Sequence, residues 1–225
     1  MACAKYRIRI MKNGPYIVTG GAPLRETIIT PEGEGYEFRP GRALPQAQSY
    51  ALCRCGRSAK APFCDGAHAF IGFDGTETAS REPYYARAER IEGKTLDLLD
   101  DGRCAFARFC HRNDGTAWEL VETACTQQAR AEAIRAATEC PSGRLTSVEK
   151  DGAEHELDCE PGIEIMQDPE REVSAFIFVK GGIPIEAEDG AEYEIRNRVA
   201  LCRCGRSQDK PYCDATHVVI EYRDK

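Results

Sequence analysis

Residues 51–57 read Ala-Leu-Cys-Arg-Cys-Gly-Arg, and the same seven residues return as 200–206. Each copy runs on through Ser, Pro, an aromatic residue, Cys and Asp to a His. These are Ser58, Pro62, Phe63, Cys64, Asp65 and His68 in the first, and Ser207, Pro211, Tyr212, Cys213, Asp214 and His217 in the second. The offset is 149 throughout, from Cys53 to Cys202 and from His68 to His217. Upstream, the stretch from Ile17 to Leu24 is echoed from Phe178 to Ile185 at an offset of 161, so the first copy carries 12 extra residues, placed around Thr30 to Pro45. Internal similarity of this kind marks a repeated structural unit. The expected division is 1–94 for the first repeat, 95–150 for a dissimilar middle section and 151–225 for the second repeat.

A chain of 225 residues has room for one large or two small domains. Its 30 basic and 37 acidic residues give a net charge of −7. That balance argues against nucleic acid or an anionic membrane as partner, since both need a positive surface. No apolar run approaches the roughly 18 residues of a membrane-spanning helix. The stretch from Met1 to Tyr6 has no apolar leader core and no transit pattern. The expectation is a cytoplasmic protein. In a reducing cytosol, twelve cysteines read as metal ligands or catalytic groups rather than disulfides. Cys3, Cys125 and Cys159 fall in no pattern.

Tyr6 to Met11 alternates polar and apolar residues and is closed by Asn13-Gly14, a hairpin signal. Tyr16 to Val18, Phe176 to Val179 and Tyr193 to Ile195 read as short strands. Ala129 to Glu139 is Ala-rich, free of Gly and Pro, and stopped by Pro141, which predicts a helix. The expected fold class is α+β, with small β-rich repeats around an insert that holds the helix.

Each outer motif is Cys-x-Cys-x8-Cys-x3-His. Two thiolates one residue apart can grip one metal atom. The later Cys and His, four apart, share one face of a helical turn and can grip a second. Asp65 and Asp214 are placed to cap that turn. Arg54, Arg57, Arg203 and Arg206 bring positive charge beside anionic sulfur, which stabilises a reduced centre. Three Cys and one His also suit a closed tetrahedral zinc site, and on ligand count alone zinc is the favoured reading.

The first motif as a whole, Cys53-x-Cys55-x2-Ser58-x3-Pro62-x-Cys64-Asp65-Gly66-Ala67-His68, closely resembles the signature of the CDGSH iron–sulfur domain of the mitoNEET family. The resemblance implies a 2Fe–2S cluster on three Cys and one His. In this chain it implies two, on Cys53, Cys55, Cys64 and His68 and on Cys202, Cys204, Cys213 and His217. Single-motif members form dimers and tandem members hold both clusters in one chain. The resemblance therefore implies repeats paired about a pseudo-two-fold axis, with no need for a homodimer. The second copy departs at Ala215, where the family has Gly. If that position takes a positive φ, Ala costs about 1 kcal/mol. His68 and His217 each leave a ring nitrogen free to take a proton near neutral pH.

The middle section holds Cys104-x5-Cys110 and then Cys140-Pro141. Bacterial ferredoxins run Cys-x2-Cys-x2-Cys with a distant Cys-Pro, and Ala107 stands here at the central position. The acidic stretch from Asp97 to Asp101 and the helix before Cys140-Pro141-Ser142-Gly143 resemble the divergent single-cluster ferredoxins. The resemblance implies a third cluster, 3Fe–4S or 4Fe–4S, on Cys104, Cys110 and Cys140. The opposing reading is a degenerate domain whose cysteines are small buried hydrophobes. The short stretch between Cys110 and Cys140 favours it, and both readings stay open. Trp118 is expected to pack this small core.

Four functions follow. The first is an electron carrier serving a redox partner protein. The second is a donor of clusters to an apo-acceptor, or a redox or pH sensor, using the weaker histidine bond. The third is a zinc-stapled interaction module. An enzyme is disfavoured, because the sequence has no phosphate loop, no Ser/His/Asp constellation and no open metal triad; Gly20-Gly21 and Gly181-Gly182 read as turns.

Overall fold

Apolar and charged residues alternate along β1 (Arg7–Ile10), so that Ile8 and Ile10 are buried while Arg7 and Arg9 face outward to pair with Glu186. In this computed structural model, which describes residues 4–224, the first repeat continues with β2 (Tyr16–Thr19), β3 (Leu24–Glu32), β4 (Gly35–Pro40), β5 (Ser49–Leu52) and the one-turn α1 (Ala67–Phe70). The middle section comprises α2 (Tyr84–Arg87), β6 (Glu89–Ile91), β7 (Leu96–Asp100), β8 (His111–Arg112), β9 (Gly115–Thr116), α3 (Ala117–Thr123), α4 (Gln127–Thr138) and β10 (Leu145–Glu149). The second repeat holds β11 (Gly162–Asp168), β12 (Val173–Lys180), β13 (Ile185–Glu186), β14 (Arg198–Leu201) and α5 (Thr216–Val219). The chain is thus α+β and β-rich. Cys3 and the first residues of the Met1 to Tyr6 stretch lie outside the described residues. Among the described residues no helix is long and apolar enough to cross a membrane.

The two repeats exchange strands. β1, β2 and β5 form an antiparallel meander, and β13 joins β1 in parallel with Ile8 opposite Ile185. β11, β12 and β14 form the corresponding meander, and β3 joins β11 in parallel with Leu24 opposite Ile163. In both copies the exchanged strand follows the Gly-Gly turn. Ile8, Ile10, Val18 and Leu52 share one core with Ile163, Ile165, Ile177 and Leu201. Each such side chain contributes about 1.5–3 kcal/mol on burial. The extra length of the first copy, within Thr30 to Pro45, is β4, which pairs with β3 as a hairpin at the sheet edge.

The middle section has its own core. β6, β7 and β10 form an antiparallel sheet, and α3 and α4 cover it through Leu96, Leu98, Leu120, Val121, Ala133 and Leu145. A capping box of Thr116 and Glu119 starts α3. The Thr126 hydroxyl accepts the Ala129 N–H at the start of α4, and the helix stops before Pro141. Trp118 packs against this core and donates its Nε1–H to Asp100 at 3.1 Å.

Tyr193 to Ile195 forms no strand, contrary to its alternating pattern. The Tyr193 N–H bonds the Ile185 carbonyl at 2.9 Å, and the nearby pairing stops at an isolated Glu186–Glu192 bridge. Tyr193 is anchored instead by its hydroxyl on Glu77, and Ile195 faces solvent. Conversely, the acidic stretch from Asp97 to Asp101 begins inside β7. Asp97 bonds Arg90 and Lys150, and Asp100 bonds Arg144 at 2.5 and 2.7 Å. These pairings let a half-acidic segment run through a buried sheet.

Candidate metal centre

β5 delivers Cys53, and the loop after it folds back along the same strand. The Cys53 N–H bonds the Pro62 carbonyl at 2.8 Å and the Cys64 N–H bonds the Ala51 carbonyl at 2.9 Å. Ser58 closes the loop by donating its hydroxyl to the Phe63 carbonyl at 2.6 Å. Asp65 then accepts the N–H of Ala67 on one oxygen and that of Ala59 on the other, holding the start of α1 and tying it to the loop. The result brings Cys53 Sγ within 3.7 Å of Cys55 Sγ, and Cys64 Sγ within 3.4 Å of His68 Nδ1.

The second copy repeats this scaffold. Ser207 donates to the Tyr212 carbonyl at 2.7 Å, and Asp214 takes the N–H groups of Thr216 and Gln208. Cys202 and Cys204 stand 3.7 Å apart, and Cys213 Sγ lies 3.3 Å from His217 Nδ1.

Each Cys-x-Cys pair shares a proton. The hydrogen bond from Cys55 lowers the Cys53 thiol to about 5, helped by the N–H groups of Ser58 and Gly56, while Cys55 is pushed up by the same bond and by burial. Cys202 falls to about 7 for the same reason, against heavier burial. The bond thus favours a thiolate on Cys53 and, less strongly, on Cys202, and a metal would draw off the second proton.

The arginines divide into two kinds. Arg54 and Arg203 are buried, Arg54 on the carbonyls of Gly75 and Met11, Arg203 on the Met166 carbonyl and Asp224. The charge of Arg203 also reaches Cys53 in the other repeat. Arg57 and Arg206 are exposed.

The two Cys-x-Cys-Gly turns touch. A Cβ on Gly56 would sit 2.4 Å from the Cys204 carbonyl oxygen, and one on Gly205 would sit 2.6 Å from that of Cys55. Only glycine permits this approach. Tyr16, from β2, donates its hydroxyl to the Cys202 carbonyl at 2.9 Å. Sequence reasoning missed that support, because Tyr16 has the signature of an ordinary strand residue.

The sites differ in cover. Cys213 and His217 are only 3% and 1% exposed, whereas Cys64 and His68 are half-buried. Burial, with Arg203 and Arg108 nearby, lowers His217 to about 4.

In the middle section, Cys104, Cys110 and Cys140 line one cavity together with Phe106, Trp118 and Arg144. Burial raises Cys110 to about 12, reinforced by the charges of Cys140 and Cys104. The Phe106 N–H points at Cys104 Sγ at 3.3 Å, and Cys140 Sγ lies 3.2 Å from Ser142 Oγ. Ala107 is packed in an apolar cluster with Phe176 and Cys213. Cys125 is exposed and stands away from the cavity lining, and Cys159 lies apart from all three groups. His155 serves as a partner of Glu149 at 2.5 Å.

The family model described as iron-binding zinc finger CDGSH type matches residues 13–69 and again 177–218. The model described as divergent 4Fe-4S mono-cluster matches residues 91–150 between them. The chain carries two CDGSH-type iron-binding domains around a divergent mono-cluster domain. No curated protein and no solved structure is significantly similar to it. The protein is an iron–sulfur-binding protein. The donors of its CDGSH-type domains fit such a group, being soft thiolates and an imidazole set in two pairs per site. Among the described residues, no group of three or more His, Cys, Asp or Glu side chains converges as one ion would require.

Proposed function

We propose that the chain holds two 2Fe–2S clusters, on Cys53, Cys55, Cys64 and His68 and on Cys202, Cys204, Cys213 and His217, and that it works in electron transfer. The observation that carries this reading is the pairing of the donors. Cys53 with Cys55, and Cys64 with His68, offer two ligands to each of two metal atoms, whereas structural zinc takes four on one. A bound cluster supplies a one-electron couple. The protein's residues do the rest: Asp65 and Asp214 hold the turns that present the histidines, and the N–H groups of Gly56 and Ser58 stabilise negative charge on Cys53.

The reciprocal contacts of Gly56 and Gly205 and the reciprocal exchange of β3 and β13 support a pseudo-two-fold relation between the repeats. Such an intrachain pair can work as a monomer. In this reading the division is 1–94, 95–150 and 151–225, crossed by β3 and β13 and by α2 and β6, which precede residue 95 but belong with the middle section, β6 through its pairing with β7. The middle cavity supports a third cluster on Cys104, Cys110 and Cys140. Three thiolates favour a 3Fe–4S group, while the family description favours 4Fe–4S. In this reading the chain is not itself an enzyme, it sits in the cytoplasm, and its partner is a redox protein. A second reading, donation of a cluster to an apo-acceptor, is favoured at the first site by the half-buried His68.

Metal and acid-labile sulfide quantification with electron paramagnetic resonance tests the proposal. About four irons per chain in signals of 2Fe–2S type are expected from the outer sites, with three or four more from the middle one. Zinc without iron or sulfide would overturn it. Replacing His68 with Cys should slow transfer of iron to an apo-ferredoxin; unchanged transfer would remove the donor reading.

A further inference from the structure

We propose that the middle site exchanges electrons with the outer sites through the second of them alone, so that the three sites form a line running middle, second, first. This rests on the reading above that all three sites hold iron–sulfur groups.

The Cys104–Cys110 loop is the wall between two sites. Cys104 and Cys110 line the middle cavity. Ala105, Ala107 and Phe109, alternate residues of the same loop, pack into the apolar cluster that contains Cys213. On the solvent side, Cys104 shares a cleft with Cys213 and Asp214. The docking is held firmly. Arg103 donates to Asp209 at 3.0 Å and lies 4.0 Å above the ring of Tyr212, both in the stretch between Cys204 and Cys213. Arg108 donates to Asp168 at 2.6 and 3.0 Å, a pair almost wholly buried.

This packing is part of why two near-identical motifs differ in cover, together with Phe176 of β12, whose ring lies against His217. The middle domain lies over the second site, whereas Cys64 and His68 stay half-exposed. The next step along the line is the contact between the two Cys-x-Cys-Gly turns, where each glycine abuts a cysteine carbonyl of the other repeat. In each transfer one site is oxidised by one electron and its neighbour is reduced by one; no covalent bond or proton moves. Transfer falls steeply with distance, so the ordering of the sites sets the route. The half-exposed first site is then the end open to an external one-electron partner.

The test uses the full chain with its clusters, prepared anaerobically with the outer sites reduced by dithionite, and the middle signal is recorded in parallel mode if it is a 3Fe–4S group, which is integer-spin when reduced. Spin relaxation and dipolar splitting of the middle signal are read in wild type, in Cys55→Ala/Cys64→Ala and in Cys204→Ala/Cys213→Ala. The first-site variant should lose about two irons and keep the splitting of the middle signal. The second-site variant should lose the splitting. Loss of the splitting in the first-site variant overturns the inference, and that arm decides even if the second-site variant fails to fold. A chain with iron at the outer sites and none in the middle overturns the inference but leaves the two-cluster reading standing. A chain without iron overturns both.

Discussion

At the scale of single residues, the two copies offer a built-in comparison. Gly66 and Ala215 occupy the same position before the short helix, and both are left-handed, with φ of 90° and 68°. The sequence comparison flagged a cost should this position be left-handed, and the structure places it there. The cost is purely conformational: a Cβ added at Gly66 meets nothing within 4 Å. Ala215→Gly should therefore raise stability by about 0.5–1 kcal/mol, and Gly66→Ala should lower it by about 1 kcal/mol. Urea unfolding of the loaded protein reads both. Equal midpoints in all three proteins would show that the turn relaxes around the substitution.

At the scale of elements, the loop from Cys104 to Cys110 matters most. Its buried Arg108–Asp168 pair joins the middle domain to β11, with 6% and 1% side-chain exposure. Truncating one partner strands a buried charge. Arg108→Ala should cost about 3–5 kcal/mol, and Asp168→Asn in the same chain should recover part of it. Chemical denaturation of the single and double variants checks the sign of the recovery. The approach of Cys53 to Cys55 and of Cys64 to His68 was legible in the sequence, because Cys-x-Cys and Cys-x3-His are local patterns fixed by one loop. The unequal cover of His68 and His217 was not, because it comes from Phe176 of β12 and from a loop more than 90 residues before the second motif. Likewise, the Ala-rich run of α4 announced its helix, whereas Tyr193 to Ile195 alternated like a strand and found no ladder. A strand needs a partner, and local periodicity cannot show one.

At the scale of the whole molecule, strand exchange sets what can fold alone. The repeats were legible as duplicated sequence, and the Gly-Gly turns marked where each exchanged strand begins. Which sheet each strand would join was not legible, because register and partner depend on the three-dimensional meeting of both copies. Residues 151–225 by themselves would lack β3, leaving β11 with an unpaired edge, and would carry β13 without β1 to receive it. The same fragment would also expose Ile163, Ile165 and Ile177, which in the full chain share a core with Ile8, Ile10 and Val18. Unpaired edges and a bared core drive association, and a second copy of the fragment offers the equivalent strand to exchange. The fragment should therefore sediment as a dimer or larger assembly, while the full chain should sediment as a monomer. A folded, monomeric fragment would mean that the exchanged strands add little and that each repeat closes its own sheet. If the fragment dimer binds iron as the full chain does, the tandem arrangement is one way of covalently joining a pair that the repeat already forms. The middle domain is then what makes the two halves of that pair unequal.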